Sequence, residues 1–185
     1  MDSKPALDAS QQPLCPKAED VPAPLMDEYL KLVSAAPQQI TWEINQNKLA
    51  NRDYYWVEGP GKSMYVGVAK NADPHDPKIA ESIEYLGNDR DDPLDRRDQY
   101  EHGQRTEMSF TSKYPTGHVF ISATFDSING KEHVATEFGS IYENTSQGSQ
   151  HAGYFDVKFD SNGKVIEYSA GQELGNLVPT QCLDK

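Results

Sequence analysis

The sequence predicts an α+β domain: one N-terminal helix packed on a twisted antiparallel meander of about six or seven strands. Three observations lead there. Apolar residues alternate with polar ones at period two from His118 to Asp126, with Val119, Ile121, Ala123 and Phe125 together on one face. Asn129-Gly130 and Asn162-Gly163 are turn pairs that favour hairpins, and each stands between alternating runs. Leu25, Tyr29, Leu32 and Ala36 fall at helical spacing and make an apolar stripe that needs a surface to cover.

In chain order, residues 1–20 are rich in Pro, Ala, Gln and Asp, a composition that reads as a flexible tether. The single domain is expected over 21–185. Its helix is expected from Val21 to Ala35, started at Pro22 or Pro24 with Asp27 and Glu28 in the first turn, and stopped by Pro37. Ile40 to Ile44 alternates weakly. Tyr54–Val57 and Met64–Val68 flank Glu58-Gly-Pro-Gly-Lys62 and predict a hairpin. Residues 71–104 read as a charged insertion holding one short helix near Pro77 to Leu86, where Ile79, Ile83 and Leu86 are helically spaced. The remaining strands come from 118–142 and 154–168. Val119, Ile121, Phe125, Val134, Phe138, Phe155, Val157 and Phe159 are the expected buried residues. Phe125-Asp-Ser-Ile-Asn-Gly-Lys and Phe159-Asp-Ser-Asn-Gly-Lys nearly repeat each other, though two copies make no solenoid.

Composition narrows the function classes. With 17 basic against 29 acidic residues the net charge is -12, which argues against nucleic acid and favours a basic protein partner. Cys15 and Cys182 stand near opposite ends, and pairing them would tie tail to tail in an oxidising compartment. No apolar leader segment follows Met1.

Motifs that carry chemistry are few. Gly59-Pro-Gly-Lys-Ser63 lacks the first glycine of a phosphate-binding loop, because Trp56 stands at that position. Asp89, Asp91, Asp92, Asp95 and Asp98 are dense but do not follow a calcium-loop spacing, and arginines are interleaved with them. His75 lies between Asp73 and Asp76, the one local pairing that suggests a general base. His118, His133 and His151 open or lie in strands and could converge. No cofactor or metal is expected. The candidate binding residues are therefore Asp89, Asp91, Asp92, Asp95, Asp98 and Glu101 in the charged segment, with Tyr142 and Glu143 beside the polar 143–151 loop.

Two resemblances sharpen these expectations. A flexible Pro/Ala-rich tether ahead of a compact domain resembles the mature region of a bacterial lipoprotein or exported envelope protein, with no lipobox present. This resemblance implies a periplasmic or other extracytoplasmic address, with membrane contact through a lipid anchor. The closing hairpin Tyr154–Tyr168 is similar to the last hairpin of NTF2-like cone folds, which implies a small-molecule pocket using a His and a carboxylate. The leading expectation is a protein-binding module, an immunity or inhibitor lipoprotein against a basic toxin or lytic enzyme. An NTF2-like enzyme or carrier and a structural envelope component are the alternatives.

Overall fold

The computed structural model describes residues 17–45, 51–85 and 96–172. It corrects the expected architecture. Among the described residues the six or seven strands are ten, forming one antiparallel sheet in simple sequence order: β1 (Thr41–Asn45), β2 (Arg52–Gly59), β3 (Lys62–Ala69), β4 (Ala80–Tyr85), β5 (Arg96–Glu101), β6 (Gln104–Tyr114), β7 (Gly117–Ile128), β8 (Lys131–Thr145), β9 (Gly148–Phe159) and β10 (Val165–Gln172). The α-helix α1 (Leu25–Ala35) accompanies it. The chain is mostly β, and its single sheet is far wider than a small α+β meander.

The strands that escaped the sequence reading are the charged ones. β5 reads Arg-Arg-Asp-Gln-Tyr-Glu, and its buried face is carried by Asp98 and Tyr100. A carboxylate in a core position breaks the apolar alternation on which strand recognition rests. The helix expected near Pro77 to Leu86 is a short 3-10 turn (Pro77–Ile79) followed by β4, where Ile83 pairs between Val66 and Asp98.

Hairpin chemistry behaves as the turn pairs dictate. Asn129 and Gly130 both take positive φ (54° and 74°) between paired Ile128 and Lys131, as a two-residue turn of matching twist requires. At the β9–β10 turn, Asp160 accepts the backbone N–H groups of Asn162 and Lys164.

Register places every strand's side chains on one of two faces. One row crosses the whole sheet, from Ile44 on β1 through Tyr55, Val66, Ile83 and Asp98 to Met108, Ala123, Glu137, Val157 and Tyr168 on β10. This is the covered face. Over β2–β5, α1 buries Leu25, Tyr29 and Leu32 against Val57, Met64, Val66, Val68 and Ile83. Each such side chain contributes roughly 1.5–3 kcal/mol when fully buried. Over β6–β10 the covering is thinner. Residues 17–20 belong to the stretch read as a tether, yet Ala18–Asp20 form a 3-10 turn. From it and the chain just after, Ala18 packs against the cluster of Ile141, Phe155, Val157 and Phe159, and Val21 against Met108, Ala123 and Phe125. The helix itself is shorter than expected, beginning at Leu25 and not Val21.

The expected core residues divide. Phe125, Phe155, Val157 and Phe159 are buried, and Val119, Ile121 and Val134 are half-buried. Phe138 is 39% exposed on the other face. Its strand changes phase at a bulge opposite Thr124 and Phe125, which turns Phe138 away from the side that Val134 occupies.

Candidate functional site

Among the described residues, no helix or second sheet packs on the face opposite α1. Its central row is polar: Ser82, Gln99, Glu107, Thr124, Thr136 and Lys158. Such a row suits water, except at Ser82, whose hydroxyl is buried without a hydrogen-bond partner. On β7–β9, however, the same face carries aromatic side chains. Phe120 (41% exposed), Phe138 and Tyr154 (40%) stand in the open, and the Phe138 and Tyr154 rings stack at 6.4 Å. Beside them the Tyr142 ring lies parallel to His118 at 4.9 Å and edge-on to His151 at 5.4 Å. The cross-strand pairs His118–Tyr142 and Tyr142–His151 make this a ladder, which stiffens the sheet as aromatic pairs do.

A depression of about 270 Å³ adjoins the aromatic patch. Its floor is small hydroxyl residues, Ser109, Ser122, Thr124 and Thr136, with Phe138 on one side and Arg97, Gln99 and Glu107 on the other. Glu107 accepts from Gln99 Nε2 at 3.1 Å. Arg97 Nε lies 3.2 Å from the Glu84 carboxylate, an ion-pair contact whose angle leaves that N–H without a hydrogen bond. Burial pushes the Glu84 carboxyl up from its ordinary range, and the Arg97 charge pulls it partly back. A second aromatic group, Tyr54, Trp56 and Tyr65, occupies the same face on β2 and β3, with Tyr54 and Tyr65 stacked at 5.0 Å.

The residues expected to form a site fare unequally. Asp98 is fully buried on the covered face, so it is no part of a contact surface. There it is neutralised by Arg96 and Arg105 at 3.0 and 3.4 Å. Glu101 is exposed at the end of β5. Tyr142 lies in the aromatic ladder, and Glu143 follows it, paired across the strands with Gly117 and Gln150. Asp89, Asp91, Asp92 and Asp95 lie outside the described residues, as do Cys15 and Cys182 and hence the expected disulfide. The catalytic alternative does not assemble. Asp73 accepts the backbone N–H of His75, and Asp76 that of Lys78, so both carboxylates cap backbone and neither orients the imidazole. The His75 ring packs edge-on against Trp42 instead. Of the three strand histidines, His118 and His151 meet through Tyr142, while His133 pairs with Asp126 farther along β8. No group of three or more metal-ligating side chains forms among the described residues.

Phe120 and Tyr154 were absent from the sequence-based candidates. The available signal was phase: Phe120 shares parity with His118, Ser122 and Thr124, so a large apolar ring sits where the strand is otherwise polar. No known family profile, curated protein or solved structure matches the chain.

Proposed function

We propose that this protein is a non-catalytic binding module that docks a basic protein on the uncovered face of its sheet, across β7–β9. The observation that carries the reading is the trio Phe120, Phe138 and Tyr154, exposed together on a face that no described element covers. Aromatic anchors beside a depression are what protein-binding surfaces use to concentrate affinity. The net charge of -12 favours encounter with a cationic surface. An immunity or inhibitor role against a basic toxin or lytic enzyme, outside the cytoplasm, fits this chemistry and rests on the same reading.

The alternative of a small-molecule enzyme requires a deep, mainly apolar cavity with an inward-facing His and carboxylate. The inward carboxylates, Asp98 and Glu137, are packed into the core. A cleft of about 330 Å³ brings His133 together with Glu19, Glu132 and Asp160, but its lining is not mainly apolar, Glu132 is held by Arg105, and Asp160 accepts the backbone N–H groups of Asn162 and Lys164.

A photo-crosslinking residue placed at position 120, expressed in the native host, tests the proposal. Capture of one basic protein from position 120, with none from the exposed helix position 31, is the expected result. Equal capture from both positions, or an acidic partner, overturns it.

A further inference from the structure

The row across the covered face holds two buried carboxylates, and they are treated differently. Asp98 is surrounded by donors: Arg96, Arg105, the Tyr100 hydroxyl and the Leu25 backbone N–H. Glu137, three strands away, is 6% exposed between Ala123 and Val157. Among the described residues its carboxyl has no cation and no hydrogen-bond partner. The charge that acts on it is that of Asp20, of the same sign, in the 3-10 turn laid over the sheet.

The other charges around it are committed elsewhere. On the turn, Lys17 lies 3.9 Å from Glu19, both well exposed. On β6, Arg105 serves Asp98, Glu132 and the Pro22 carbonyl and lies 3.9 Å over the Phe125 ring. On β8 itself, Glu132 pairs with Arg105, and His133 stands opposite Asp126 of β7 in the strand register. On β9, Asp156 and Lys158 point to the opposite face, Lys158 bound to Glu167 at 2.7 Å. At the β9–β10 turn, the Asp160 carboxylate accepts the Asn162 and Lys164 backbone N–H groups. Among the described residues no cation offsets a negative charge on Glu137.

We propose that residues 17–22 form a proton-operated strap: they lie on the sheet while the Glu137 carboxyl keeps its proton, and lift when it ionises against Asp20. Lifting uncovers Met108, Ala123, Phe125 and Val157, the apolar surface on which Val21 and its neighbours sit. The carboxyl's affinity for its proton agrees with this, since burial first and Asp20 second push it up to about 7. The strap acts on the face opposite the proposed docking surface, so the two readings stand or fall separately.

Amide hydrogen exchange of Ala18–Val21 on the full chain, corrected for intrinsic pH dependence, is the test. In the closed form the proton is held up to about pH 7, whereas in the open form it leaves near the ordinary glutamate value. The opening equilibrium therefore rises about tenfold per pH unit between roughly pH 5 and 7 and levels off above. Glu137→Gln makes it independent of pH. Asp20→Asn moves the levelling point to lower pH, and His133→Gln leaves the profile unchanged. A flat wild-type profile overturns the strap, as does an unaltered profile in Glu137→Gln. So does exchange of residues 18–21 at the same free energy as Val57 and Val66, which would mean global unfolding. If Glu137→Gln does not fold, Asp20→Asn decides, an unmoved levelling point counting against the strap.

Discussion

The carboxylate of Asp98, on β5, accepts the backbone N–H of Leu25, the first residue of α1, at 2.8 Å. The next N–H, that of Met26, is taken by the hydroxyl of Tyr100 at 2.8 Å, and that hydroxyl donates to Asp98 at 3.1 Å. Pro24 at the helix cap offers no side-chain acceptor. Groups that a local Ser or Asp would satisfy are thus met by a strand 73 residues away, and the helix is oriented on the sheet by the same bonds. Burial, with the Asp98 charge, pushes the Tyr100 phenol up beyond its ordinary range, which keeps it a donor.

Removing Asp98 leaves two arginines and a helix end without their shared acceptor. Asp98→Ala should lower the unfolding free energy by about 3–5 kcal/mol, the scale for breaking a buried charge pair from one side. Urea titration at neutral pH measures it. A loss below about 1 kcal/mol, the scale of a surface ion pair, would show that the network does not anchor α1.

Gly139 lies beneath the ring of Phe155, whose atoms occupy the space a Cβ at 139 would need. The ring is buried and cannot simply swing out. Gly139→Ala should cost about 1–3 kcal/mol through overpacking, although alanine suits a strand no worse than glycine. Thermal unfolding checks this, and a neutral or stabilising effect would contradict the packing.

Glu137 gives the fold a pH dependence of definite sign. Its folded-state pKa, about 7, lies above the ordinary 4.5. Below the lower value both states hold the proton and nothing is lost. Between the two, unfolding releases it, so stability falls as pH rises, and above about 7 the loss is complete. The shift corresponds to about 3 kcal/mol. Glu137→Gln should therefore match the wild type near pH 4 and exceed it at pH 8 by up to about that amount, the lifting of residues 17–22 relieving part of it, by denaturant unfolding at each pH. Equal stabilities at pH 8 would contradict the buried, uncompensated carboxyl.

The sequence made the hairpins legible because Asn-Gly and period-two alternation are local signals. It hid β4 and β5, since Ile79, Ile83 and Leu86 mimic helical spacing and Asp98 occupies a core position. It placed Phe138 in the core because its alternation was counted through a bulge, which no side-chain pattern announces. Composition marks residues 1–20 as a tether, yet Ala18, like Val21 just after it, finds apolar partners that only the folded sheet assembles. The aromatic patch depends on three strands in register and so lies beyond any single run of residues.

The exposed rings should be dispensable to the fold. Phe138 and Tyr154 gain a cross-strand stacking contact worth about 0.2–1 kcal/mol, so Phe138→Ser with Tyr154→Ser should cost roughly 1–2 kcal/mol and leave a folded domain. Circular dichroism and a urea midpoint establish that.

Crosslinking from position 120 in that double variant tests the docking face most directly. The account predicts a folded protein from which capture of the basic partner has disappeared. Undiminished capture from a folded double variant would contradict it, and the β7–β9 face would then have to be given up as the binding surface.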